Sequence, residues 1–177
     1  FQYRSLFAGE PPKELGSSYF LRHEITRAAK TMGDEGKAYV RGRYDNNMRY
    51  LDDQLAAFFD QIQDDATVMI ISDHGEEFWD HNGFEHGHTL YDELLRVPMI
   101  LKSTNVEAGV FDAPTSLIDV APTLAAIANV DTAGMTGADL RLLASGNATD
   151  VFKQRPQAFG RPLYGMRRWG SLKNGTK

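Results

Sequence analysis

Asp73 and His74 come directly after the apolar run Thr67-Val68-Met69-Ile70-Ile71 and Ser72, and His81, His86 and His88 follow shortly. Four of the chain's five histidines thus lie within fifteen positions, interleaved with acids and glycines. Imidazoles and carboxylates gathered at the end of a buried strand are the raw material of a metal-dependent hydrolytic site. Adjacent Asp73 and His74 can both reach one cation, because the chain leaves the pleat there and alternation no longer separates their side chains. A carboxylate oxygen with a neutral imidazole suits Zn²⁺ or Mn²⁺ and tolerates Mg²⁺ or Ca²⁺ less comfortably. Gly75 would let the backbone turn tightly toward the ligand. The bland alternative for these residues is a surface turn with a capping aspartate.

His86-Gly87-His88 places two imidazoles at alternate positions, where both can point at a metal or an anionic substrate. A histidine with an unperturbed pKa of about 6.5 could also protonate a leaving group. A solvated polar loop is the competing reading. His81, between Asp80 and Asn82, reads as loop structure, and His23 as a surface residue on a helix. Tyr91-Asp92-Glu93 opens a helix whose acids complement its dipole. Arg96 could clamp an anion or pair with an acid. Asp119 reads as a helix cap rather than a catalyst.

The elements that must position these groups follow from periodicity. Residues 1–36 read as irregular, with a short helix over Phe20–Thr31. Tyr44, Met48, Leu51, Leu55, Phe58, Phe59 and Ile62 recur at helical spacing, so a helix over 38–63 should lay that face on a core. Thr67–Ile71 and Val97–Leu101 read as buried strands. A short helix is expected over Thr89–Leu95, with Thr89 and Asp92 at capping-box spacing. Another runs over Ser116–Asn129, with Asp119 as cap, Pro122 in the first turn, and Leu124, Ile127 and Ala128 facing inward. Gly134–Ser145 should hold one more short helix, and the tail from Phe159 a ragged hairpin. Helix, strand, loop, strand, helix in this order implies an α/β layer with ligands at the carboxyl ends of its strands.

The 177 residues suffice for one domain with a core, here read as 38–145 with a tail over 150–177. A composition of 42% hydrophobic and 24% charged residues is ordinary for a globular protein. The net charge of -5 argues against nucleic-acid binding. The absence of cysteine excludes disulfides, thiolate ligands and cysteine nucleophiles within the chain. A start at Phe1 with no signal-peptide pattern leads us to expect a fragment of a longer protein.

Taken in order, Ser72-Asp73-His74-Gly75-Glu76, His86-Gly87-His88, Tyr91-Asp92-Glu93 and Leu95-Arg96-Val97-Pro98 resemble the sulfatase family, within the alkaline-phosphatase superfamily. Leu117-Ile118-Asp119-Val120-Ala121-Pro122-Thr123-Leu124 looks like that family's downstream helix, so the likeness extends from about Tyr44 to Val130. The resemblance implies an α/β fold, a sandwich of helices around a mostly parallel or mixed sheet, of which this chain is an incomplete, carboxyl-terminal portion. It implies a metal-dependent hydrolase of small anionic sulfate esters. Asp73 and His74 would ligate one divalent ion (Ca, Mg, Mn or Zn) together with acids from an earlier strand. A formylglycine would be the nucleophile, and His86, with His88 as its alternate, would be the catalytic basic side chain. The family's Cys/Ser-x-Pro-x-Arg nucleophile run is absent here. The chain is therefore expected to hold half an active site and to be inactive alone. Its open apolar face would associate with the amino-terminal part of the same protein or form a homodimer. The resemblance implies the periplasm or cell surface rather than the cytoplasm. Phosphodiester or phosphonate hydrolases, and phosphoglycerol or phosphoethanolamine transferases, share the Asp-His-Gly strand end. A non-catalytic binding domain keeping the fold is the third reading.

Overall fold

The computed structural model describes residues 3, 6–13, 29, 31–146, 149–161 and 168–172. The expected helix over Phe20–Thr31, and His23 on it, lie outside the described residues apart from Ala29 and Thr31. The chain divides into two compact units, Phe1–Asp64 with Gly75–His88, and Asp65–His74 with Thr89–Lys177.

The first unit is built on α1, Asp34–Phe59, whose opening acids Asp34 and Glu35 complement the helix dipole. Its buried residues are Gly36, Tyr39, Val40, Gly42 and Asn46. Tyr39 and Val40 pack with Met32, Ala8, Trp79 and Phe84. Of the stripe expected to face a core, Tyr44, Met48, Leu51 and Phe58 are exposed. The close approach of residues 7–8 decides this. A Cβ at Gly42 would lie 2.6 Å from the Phe7 carbonyl oxygen, and the Phe7 amide donates to Asn46 Oδ1 at 2.9 Å. The second piece of the unit is a small hairpin, β2 (Glu77–Phe78) against β3 (Phe84–Glu85), with Phe78 opposite Phe84. The histidine-rich stretch is thus partly strand where only a loop was expected. Two-residue strands carry no readable period.

In the second unit β1, Val68–Ile71, pairs antiparallel with β4, Met99–Lys102, in the register Met69↔Leu101 and Ile71↔Met99. Paired residues share a face, and Met69 and Met99 pack on buried Leu140, Leu143 and Phe152. The opposite face carries Ile70 and Ile100, with Ile100 56% exposed. These strands are therefore covered on one side, not both. The α2 helix is Asp92–Leu95, and Tyr91 is its N-cap without a side-chain hydrogen bond. Because the helix starts only there, the capping box from Thr89 does not form, and the buried Thr89 hydroxyl has no hydrogen-bond partner among the described residues. A 3₁₀ turn over Leu117–Asp119 leads into α3, Val120–Ile127. There Pro122 and Thr123 are buried while Leu124 is exposed, the reverse of the apolar expectation. The reason is polar: Thr123 Oγ1 donates to the Asp119 carbonyl at 2.6 Å and accepts the Leu140 amide at 2.9 Å. After α4 (Arg141–Ala144) and α5 (Thr149–Lys153), β5 (Gln157–Arg161) and β6 (Arg168–Leu172) form the tail hairpin.

All three ladders among the described residues are antiparallel. The parallel neighbours that a mostly parallel or mixed sheet requires are not among them. No helix is long and apolar enough to cross a membrane among the described residues.

Candidate functional site

In the second unit, β1 ends at Ile71 and the chain turns through Ser72, whose hydroxyl donates to the His74 carbonyl at 2.7 Å. The His74 amide donates to Asp73 Oδ1 at 3.1 Å. Both side chains lie open to solvent beside these two local hydrogen bonds. His74 Nε2 lies 3.8 Å from Asp73 Oδ1, with the side chains 42% and 88% exposed. An open carboxylate beside an imidazole is a donor pair that a divalent cation could take. Two donors do not close a metal shell, and no group of three or more His, Asp or Glu side chains among the described residues is arranged to hold an ion. Gly75 does not adopt the left-handed backbone; the left-handed glycine of this stretch is Gly87, at φ 82°.

In the first unit, His86 and His88 are held by successive glutamates. His86 Nδ1 lies 3.1 and 3.3 Å from the two carboxylate oxygens of Glu76. His88 Nε2 lies 2.8 Å from Glu77 Oε2. A hydrogen bond to one ring nitrogen fixes which nitrogen carries the proton. The two imidazoles are therefore gripped by opposite nitrogens.

The Glu77 side chain has no solvent exposure. Its Oε1 accepts the amides of His81 at 3.0 Å and Gly83 at 2.6 Å. Burial by itself would raise the Glu77 carboxyl; the hydrogen bonds from Gly83, His88 and His81 outweigh it and hold the pKa below its ordinary value. His81 thus serves this loop through its backbone amide.

The segment carrying these dyads is backbone-strained. Trp79 (φ 64°), Asn82 (φ 64°) and Glu85 (φ 68°) are all left-handed. For residues such as Trp and Glu this conformation costs of order 1–2 kcal/mol each, and it persists only where neighbours enforce it. Trp79 is enforced by its stack on Phe84 at 4.8 Å, its indole bond to the Ala29 carbonyl and the Lys37 ammonium over its ring. Between α1 and the hairpin lies an open cleft of roughly 200 Å³ whose walls include Arg43, Tyr44, Asn47, Glu76, Phe78 and Glu85.

Asp73, His74, His86 and His88 stand out in the sequence by type and spacing; Glu77 and Gly83 do not, and Glu76 does so only as part of its motif. One signal was available: adjacent glutamates at 76 and 77 stand ten and eleven residues ahead of their imidazoles.

The Sulfatase family model matches residues 17–130. The chain is 31% identical over 104 residues to the uncharacterized sulfatase YidJ of Escherichia coli (strain K12), covering 56% of this chain and 21% of that protein. It is 30% identical over 102 residues to choline-sulfatase of Rhizobium meliloti (strain 1021), covering 55% of this chain and 20% of that protein. It also resembles a structure of BT4656 in complex with its substrate D-glucosamine-2-N,6-O-disulfate, at a TM-score of 0.62 and 21% identity. That likeness covers 92% of this chain and 36% of the other, and carries the alkaline-phosphatase-like α/β fold. The chain belongs to the sulfatase family. It spans about a fifth of the length of the two curated relatives.

Proposed function

We propose that this chain contributes part of the active site of a metal-dependent hydrolase of sulfate esters. It forms an incomplete portion of a sandwich of helices around a mixed sheet. Asp73 and His74 would hold one divalent ion, with further ligands and the nucleophile supplied by other parts of the protein. A bound ion supplies positive charge that polarises the sulfate oxygens. The chain's own residues bind and move protons. Glu76 takes the Nδ1–H of His86, which leaves Nε2 as the basic nitrogen of the neutral ring. The protonated ring donates from Nε2 to the leaving alcohol oxygen or to a sulfate oxygen. His88 is the second imidazole facing the anion. The cleft that Glu76 shares with α1 receives the alcohol part of the ester. The apolar residues exposed along α1 and on β4 pack against the rest of the protein or a second copy, and the protein works at the periplasm or cell surface.

The observation that carries this reading is the exposed Asp73–His74 pair at the end of β1, inside the residues matched by the sulfatase family. The sulfated sugar bound by BT4656 supports an anionic sulfate-ester substrate. The test is hydrolysis by the whole protein of a chromogenic sulfate ester beside the matching phosphate diester and phosphonate ester. Faster turnover of the sulfate ester supports the reading; turnover confined to phosphorus esters reassigns the site to phosphoryl chemistry.

A further inference from the structure

A carboxylate buried in a loop must have its oxygens hydrogen-bonded, and backbone amides commonly serve. Glu77 does that with one oxygen and engages an imidazole with the other. Oε1 takes the amides of His81 and Gly83, and Oε2 lies 2.8 Å from His88 Nε2. Space for this arrangement is reserved in the sequence. A Cβ at Gly83 would collide with His88 Nε2 and lie 2.5 Å from Glu77 Oε2. Gly83 also accepts the Trp79 amide through its carbonyl at 2.9 Å, so the same residue closes the turn and admits the dyad. The imidazole remains partly open, with 31% of its side chain exposed, while the carboxylate behind it is fully enclosed. A buried acceptor behind a solvent-facing imidazole is how proteins fix the tautomer of a histidine that meets a ligand.

Resting on the reading above, in which this histidine pair faces the sulfate ester, we propose that Glu77 is the positioning residue for His88. It holds the ring as an Nε2–H donor to the interior and so turns Nδ1 toward the anionic substrate. His86 is gripped through Nδ1 by Glu76, and presents Nε2. The two imidazoles then address one substrate with different nitrogens, which divides their work. The neutral His88 ring offers substrate an acceptor nitrogen, and only its protonated form offers a donor there. Gly83 is the position that makes the arrangement possible, since any side chain there drives acid and imidazole apart.

The ring nitrogens of a ¹⁵N-labelled chain test this directly, because it contains only five histidines. At a pH above the ordinary histidine range of about 6.5, His88 should show a protonated Nε2. A deprotonated, pyridine-type Nε2 in the unaltered chain would overturn the proposal without any activity measurement. In Glu77→Gln the amide oxygen can keep the His81 and Gly83 amides, while the amide NH₂ now faces His88 and should switch Nε2 to the deprotonated form. In the whole protein this variant should lower kcat for a sulfate ester by about 10–100-fold with little change in KM. A folded Glu77→Gln protein with unaltered tautomer or unaltered kcat would overturn the positioning role. Should that variant fail to fold, the unaltered chain's His88 tautomer still decides. Absence of sulfatase turnover in the unaltered protein would count against the functional reading and leave the tautomer result standing.

Discussion

Arg155 reaches back 36 residues to Asp119 and sets both terminal guanidinium nitrogens on both carboxylate oxygens, at 2.5 and 2.7 Å. Asp119 has no solvent exposure, and it also accepts the amides of Ser116 and Ala138, each at 2.8 Å. One carboxylate thus joins the start of α3, the loop before α4 and the segment after α5. As the N-cap residue of α3 it makes no side-chain capping hydrogen bond there; its carboxylate instead closes the capping box of the 3₁₀ turn through the Ser116 amide. Removing the guanidinium would leave a buried charge with only amides for partners. Arg155→Met should lower the unfolding free energy by about 3–5 kcal/mol. Arg141→Met, which breaks the more exposed pair with Asp139 at 2.7 Å, should cost about 1 kcal/mol or less. Urea denaturation of both variants measures the contrast; equal losses would show that the Asp119 clasp contributes nothing special.

The arginine's share of this clasp does not change across neutral and mildly alkaline pH. The hydrogen bonds from Arg155 to Asp119 raise the arginine above its usual value. A raised folded pKa gives stabilisation that is complete below the unfolded value, hence constant at any neutral or mildly alkaline pH. Glu77 behaves oppositely. Its folded pKa is lowered, so its contribution is complete above about pH 4.5 and is lost as pH falls through the lower folded value. Protection of the His81 and Gly83 amides, both held by Glu77 Oε1, should therefore fall below that point. Amide exchange measured across that range reads this; undiminished protection of both amides would mean that the ionised Glu77 carboxylate is not what holds them.

Gly137 marks a backbone contact with no room to yield. A Cβ there would run into the Ile118 carbonyl group and come within 2.9 Å of Asp119 Cα. Gly137→Ala should cost about 1–3 kcal/mol by overpacking, read as a lowered urea midpoint with an unchanged slope. A neutral effect would show that the loop after Gly134 shifts freely away from α3.

The proposed role of His86 carries its own signature. An imidazole titrates near neutrality and a lysine does not. In the whole protein, His86→Lys should move the limb of the kcat/KM profile that reports this group upward by about two pH units or more. An unchanged profile would take His86 out of the proton-transferring role.

Much of this was legible along the chain, and the exceptions have physical causes. The run Thr67–Ile71 gave a strand because β-branched residues cluster there without polar breaks, Met99–Leu101 gave one as an uninterrupted apolar run after Pro98, and the Gly- and Arg-rich tail gave a hairpin. The face of α1 was not legible. Its apolar stripe suggested burial of Met48 and Leu51, whereas Gly42 and Asn46 admit the segment around Phe7 and turn the neighbouring face inward. Leu124 failed for a similar reason, since the hydroxyl of Thr123 and the carboxylate of Asp119 set the orientation of α3. In the site, Asp73, His74, His86 and His88 stood out by type and spacing. Glu77 did not, because an acid in a polar stretch reads as solvated, and only the amides of His81 and Gly83 and the His88 ring make its burial affordable.

The most direct test of the central claim measures bound metal and sulfate-ester hydrolysis together, in the whole protein and in its Asp73→Ala/His74→Ala variant. The account predicts that the unaltered protein carries a divalent ion and hydrolyses the ester, and that the variant loses both while its far-UV circular dichroism is unchanged. A folded variant that retained its metal and its turnover would contradict the account.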